Sequence, residues 1–182
     1  MKKLLYLSLT ILLVSFTNGT SGISNPKSVT DAENPVYIAD NGITIKAKEW
    51  ATIGATGTIG PHTYTVVNEE MLREMLANEE DVTKIATSKV TDMDDMFYCA
   101  YSFNQPLDKW NVSNVKGMEG MFFKVSSFNQ PLNKWDVSNV WNMKNMFVHA
   151  TSFNQPLNKW NVSKVEYMPG MFYAARSAGP AR

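Results

Sequence analysis

The chain has 182 residues with 17 basic and 17 acidic side chains, so its formal net charge is zero. At 44% hydrophobic it has enough apolar residues for a core and too many for a disordered chain. Neutrality gives no basic footprint for nucleic acid, and one cysteine excludes a disulfide framework or a Cys-rich zinc site. The unusual number is 11 methionines against 10 glycines.

Residues 1–22 read as a signal peptide: Lys2 and Lys3, an apolar run over 4–16, then small and polar residues. The run is too short to span a bilayer comfortably. The alternative is an uncleaved N-terminal anchor. Cleavage falls after Gly19 or Gly22, and removing the segment takes two lysines and no acid, leaving a net charge of −2. No cysteine near the run offers a lipid attachment point, and no membrane span follows in the mature chain. Residues 23–35, rich in Ser, Asn, Pro, Asp and Glu, read as a linker, with ordered structure starting near Val36.

Residues 36–84 read as a small strand pair and helix, forming a leader or N-terminal cap. Ile43, Ile45 and Ala47 alternate with Thr44, Lys46 and Lys48, as in a half-buried strand. The run 63–67 reads as a second strand. Gly54, Gly57 and Gly60-Pro61 between them are turn residues, without the spacing of a phosphate loop. Asn68 is placed to cap a helix with Glu69 and Glu70 in its first turn, where the macrodipole favours acids. Met71, Leu72, Met75 and Leu76 make its apolar stripe.

From 85 to 177 the chain repeats. Ser-Phe-Asn-Gln-Pro-Leu begins at Ser102, Ser127 and Ser152, a step of 25 residues. Segments 103–127 and 128–152 are identical at 15 of 25 positions. A degenerate copy precedes them, with Ile85 in the Trp position and Met93, Met96 and Phe97 in register. Eight of the 11 methionines therefore occupy two repeat positions. A 25-residue period predicts an α/β repeat, a leucine-rich-repeat-like solenoid of about four turns. Trp-x-Val-Ser-x-Val suits a short strand, and Val-x-x-Met-x-x-Met-Phe suits a short helical or 3₁₀ turn. The expected repeat core is Trp110, Trp135 and Trp160, Met118, Met143 and Met168, Met121, Met146 and Met171, and Phe103, Phe128 and Phe153. Asn104, Asn129 and Asn154 are expected to bond corner backbone between turns. Lys109, Lys134 and Lys159 are expected in a solvated column.

Positions that vary between copies mark the surface. Lys116 becomes Trp141 and Glu166; Gly117 becomes Asn142 and Tyr167; Glu119 becomes Lys144 and Pro169. All three positions are expected on an exposed edge. Trp141 and Tyr167, with Lys116 and Lys144, are the predicted partner-contact residues.

The block over 135–147, Trp-Asp-Val-Ser-Asn-Val-x-x-Met-x-x-Met-Phe, followed by Ser-Phe-Asn-Gln at 152–155, resembles BspA-type leucine-rich-repeat surface proteins. Such repeats are also found in mycoplasma lipoproteins. The resemblance spans 85–177, and the leader also resembles the segment that often precedes these repeats. It implies a secreted or cell-surface protein, with adhesion a role of some members. A lipobox cysteine and a C-terminal wall signal are missing. Residues 178–182 fall out of register, since Ala178 stands in the Phe position. Truncation of a longer array, with an apolar end and end-to-end self-association, is the corresponding expectation.

No catalytic motif or Cys/His pairing is present, and His62 and His149 lie far apart. Asp92, Asp94 and Asp95 lack EF-hand spacing, and Thr91-x-x-Asp94 reads as a capping box. The expectation is no enzyme, no cofactor and no metal. The leading function is a repeat scaffold for an unknown protein or glycan at a cell surface. The alternatives are a structural envelope spacer and a fragment of a longer surface protein.

Overall fold

The computed structural model describes residues 30–175. The expected signal peptide, the first part of the linker and the out-of-register tail lie outside the described residues.

The leader is more elaborate than a strand pair. Strands β1 (Val36–Ile38) and β2 (Ile45–Ala47) form an antiparallel ribbon. Strands β3 (Thr56–Ile59) and β4 (His62–Val66) form a hairpin, and β5 (Ile85–Ala86) pairs parallel to β4. The two strands expected from sequence thus pair with other partners, not with each other. Within β2's approach, Thr44 and Ile45 are both buried, so strict alternation fails there. Residues 30–35 belong to the fold rather than to a linker. Glu33 and Asn34 donate main-chain bonds to Thr30, and the Asn34 side chain donates to the Thr58 carbonyl (2.7 Å). Gly57 is buried against Asn34 and Pro35, where a side chain would have no room.

Helix α1 spans Glu69–Ala77. Asn68 is its N-cap and accepts from the Met71 amide at 3.0 Å. Glu69 does more than meet the helix dipole. Its Oε1 also accepts from the main chain and hydroxyl of Thr91 (2.6 and 2.9 Å). That bond, and one from the Asp92 amide, depress the Glu69 pKa although burial opposes them. No helix follows Thr91, so the expected capping box is absent. Asp94 instead takes an Asx-type bond to Asp92 Oδ1 (2.8 Å). On α1 only Leu72 is fully buried; Met71, Met75 and Leu76 pack half-buried on the same core.

The repeats lie one against the next at the sequence period of 25 residues. Main-chain bonds join each copy to its successor, four of them from alternate residues of one run. Met93, Asp95, Phe97 and Cys99 donate to Gly117, Glu119, Met121 and Phe123. The bonds recur from Met118, Gly120, Phe122 and Lys124 to Asn142, Lys144, Met146 and Val148, and again from Met143 onward. Asp92, Gly117, Asn142 and Tyr167 form a row of single parallel bridges.

This pairing falls in the Met-x-x-Met-Phe run, expected as a short helical or 3₁₀ turn; the run holds isolated three-residue turns such as Tyr98 N to Asp95 O (3.0 Å) rather than a helix. The Trp-x-Val-Ser-x-Val segment, expected as a strand, is folded into tight turns such as Val115 N to Val112 O (2.9 Å). Two positions per copy have a left-handed backbone, which excludes a helix. One row is Asp95, Gly120, Asn145 and Gly170, with φ 55°, 58°, 56° and 67°. The Asp, Gly and Asn there are the residues that tolerate this region best.

Side chains continue the register. Phe97, Phe122, Phe147 and Phe172 stack with centroids 5.2, 5.3 and 5.5 Å apart. Phe103, Phe128 and Phe153 make a second column at 6.1 and 5.9 Å. The Trp110, Trp135 and Trp160 indoles each donate at 2.9 Å to carbonyls of Val82, Leu107 and Leu132. Asn129 and Asn154 main-chain amides donate to Asn104 and Asn129 Oδ1, at 3.0 and 2.9 Å. One apolar cluster runs from Leu72 of α1 through the copies to Met171.

Two expected core residues depart from burial. Met168 is exposed, because the copy containing it has no neighbour on its outer side among the described residues. Phe103 is only half-buried, beside a cavity.

Candidate functional site

The variable edge divides into two rows of different character. Lys116, Trp141 and Glu166 are exposed. Their main chains are linked, Lys116 to Thr91, Trp141 to Lys116 and Glu166 to Trp141, so each side chain stands above the last. The next row, Gly117 and Asn142, is buried, against the expectation that the whole edge is exposed. It carries the bridge row, so its backbone lies inside the ladder. The ladder bonds of that row are main-chain bonds, which any side chain can make, and Asn142 adds side-chain bonds to Glu119 and to the Lys144 amide. Tyr167, in the last described copy, is exposed.

Trp141 is 48% and Tyr167 51% exposed, and the Tyr167 amide donates to the Trp141 carbonyl at 3.1 Å. The two aromatics therefore stand on adjacent copies of one ledge, joined through their backbones, with Lys116 one step back from Trp141 and with Tyr167 near enough to Lys144 to interact with its charge. The Lys144 ammonium is bonded to Glu119 Oε1 at 2.7 Å. Bonds from Lys144 and Asn142 hold the Glu119 carboxyl below its usual range, and the same Glu119 contact raises the Lys144 pKa. Lys144 is thus engaged within the fold and is not a free cation on the ledge.

Beside Glu119, in the first copy, lies an acidic group that the sequence placed only as a cluster. Asp94 Oδ1 accepts from the Glu119 amide at 2.6 Å. Burial, and repulsion from nearby carboxylates, push both Asp94 and Asp95 up from the ordinary carboxylate pKa. A raised folded pKa means that ionisation costs stability. The favourable state is fully present below the ordinary value and is lost as pH rises through the raised one. Asp95→Asn should therefore stabilise the protein slightly at pH 7, the effect being small because solvent screens the site. Asn145 already occupies the equivalent left-handed position. The gain should vanish below the ordinary Asp value of 3.8, as read by urea denaturation at several pH values. A loss of stability at pH 7 would contradict the assignment.

The other sequence candidates are placed as follows. Lys109 is half-buried, its ammonium over the Tyr64 ring at 5.9 Å, while Lys134 and Lys159 are exposed. Asn111, which heads an Asn-x-Ser sequon, is buried and bonded to Ser88 Oγ at 2.9 Å. Cys99 is half-buried and unpaired with any other cysteine. Among the described residues no helix is long and apolar enough to cross a membrane. A cavity beside Phe103, lined by α1 and the first corner, was not foreseen; its signal was the absence of a Phe 25 residues before Phe103, where Asn78 stands.

A family model described as Mycoplasma protein of unknown function, DUF285, matches residues 67–180. No curated protein and no solved structure matches the chain.

Proposed function

The chain belongs to the DUF285 family of Mycoplasma proteins of unknown function, and from that premise we propose a non-enzymatic, exported surface protein that binds partners through its repeats. In this reading the repeats are a BspA-like, leucine-rich-repeat-type solenoid, and residues 1–22 direct export. The observation that carries the proposal is the Trp141–Tyr167 ledge. Two large aromatics on adjacent copies are solvent-exposed, on a backbone fixed by inter-copy hydrogen bonds. Exposed aromatics on a rigid support lose little conformational freedom on binding, which is why such residues dominate contact energies.

The partner is a protein or glycan at a cell surface, and the ledge needs no cofactor. Trp141→Ala should leave the fold intact at a cost of about 1 kcal/mol or less, because the half-exposed ring is not part of the buried core. Adhesion of the purified protein to host-cell or matrix surfaces should fall at least about tenfold, a loss of about 1.4 kcal/mol. Unchanged adhesion by Trp141→Ala and Tyr167→Ala would refute the ledge. A collapse of the Trp141→Ala fold would show that the indole is structural.

A further inference from the structure

A cavity of about 540 Å³ opens where α1 meets the first corner of the repeats. It sits at the head of the second aromatic column. Phe128 and Phe153 are buried, each with a ring one copy before it, whereas Phe103 has none. One copy back stands Asn78, an exposed residue at the end of α1. Phe103 is therefore half-buried, and its ring lines the cavity with Met96, Leu76 and Ala77.

The row of Asn bonds stops at the same place, although Gln105 still bonds the leader at the Glu80 carbonyl and the Val82 amide. Asn129 and Asn154 amides find an Asn Oδ1 one copy back, but the residue one copy before Asn104 is Glu79. Among the described residues no leader acceptor takes the Asn104 main-chain N–H. The rim is acidic, with the carboxylates of Glu79, Glu80 and Asp95. Its one cation, Arg73, donates to the Asp94 carbonyl at 2.7 Å.

We propose that this cavity binds one aromatic side chain of a partner polypeptide, flanked by Lys or Arg. The ring extends the Phe103–Phe128–Phe153 column, a partner carbonyl accepts from Asn104, and the flanking cation faces Glu79, Glu80 and Asp95. The volume suits one large side chain with its neighbours. Offset stacking on Phe103 repeats the geometry already used between copies, and the acidic rim selects a basic flank over an acidic one. This site is separate from the Trp141–Tyr167 ledge and does not rest on it.

The test is calorimetric titration of the whole protein with three capped tripeptides: Lys-Phe-Lys, Glu-Phe-Glu and Lys-Ala-Lys. Lys-Phe-Lys should bind saturably, and the other two at least about tenfold more weakly. Ala77→Trp, at an exposed position on the rim, should abolish binding by filling the cavity. Glu79→Gln combined with Glu80→Gln, both exposed, should weaken Lys-Phe-Lys and bring it towards Glu-Phe-Glu. Trp141→Ala should bind as the unaltered protein does. No saturable binding, equal affinity for the three peptides, full binding by Ala77→Trp, or loss in Trp141→Ala would each overturn the proposal.

Discussion

Phe122→Ala should be the most damaging single truncation in the repeats. Its ring is fully buried and lies between Phe97 at 5.2 Å and Phe147 at 5.3 Å, with Phe128 at 4.3 Å. Removing it leaves a cavity that the adjacent turns cannot close, because their backbones are held by the inter-copy bonds. The expected cost is about 3–5 kcal/mol. Against a typical total of about 5–15 kcal/mol this is a large fraction, and the melting temperature should drop by about 10 °C or more. Phe172→Ala is the internal control: that ring is 45% exposed at the last described copy and should cost far less. Equal losses for the two variants, measured by thermal denaturation, would show that Phe122 is not held between two neighbours.

Trp135 carries the second large effect, and here two substitutions separate packing from hydrogen bonding. The indole is buried and its Nε1 donates to the Leu107 carbonyl at 2.9 Å. Trp135→Ala loses both and should cost about 3–5 kcal/mol. Trp135→Phe keeps much of the ring. Leu107 O still accepts from the Trp110 amide at 3.1 Å, so it is not orphaned. The phenylalanine variant should therefore cost only about 1–2 kcal/mol. Urea midpoints of the two variants measure the difference. A Trp135→Phe loss as large as that of Trp135→Ala would put the hydrogen bond, not the ring, in control.

The comparison of sequence and structure is instructive residue by residue. The side-chain columns at Phe128, Trp135 and Met146 were legible because a fixed period forces equivalent residues into equivalent places. The Asn104–Asn129–Asn154 row was legible for the same reason. Local backbone was not. The Met-x-x-Met-Phe run has the three-residue spacing of a helix, yet Asp95, Gly120 and Asn145 sit in the left-handed region and turn its amides towards the next copy. No propensity scale reads a conformation that alternates residue by residue. In the leader, β3 was missed because its Gly57 reads as a turn residue, and β5 exists only through its pairing with β4. The exposure of Trp141 was readable from its variation between copies. Burial of Asn142 in the adjacent row was not, because main-chain bonds let that row vary in sequence while staying inside.

Residues 25 apart in sequence are neighbours in space, copy upon copy. Cysteine crosslinking in a Cys99→Ser background measures this spacing. Asn133 and Asn158 face each other, with Nδ2 of one donating to Oδ1 of the other at 3.2 Å. Asp108 occupies the same place one copy earlier. Adjacent turns at strand spacing, about 5 Å, are within disulfide reach, and alternate turns at about 10 Å are not. Asn133→Cys with Asn158→Cys should close an intramolecular disulfide under mild oxidation, seen as a loss of two mass units. Asp108→Cys with Asn158→Cys should stay reduced. Failure of the first pair to close, or equal closure of the second, would contradict the register on which the whole account stands.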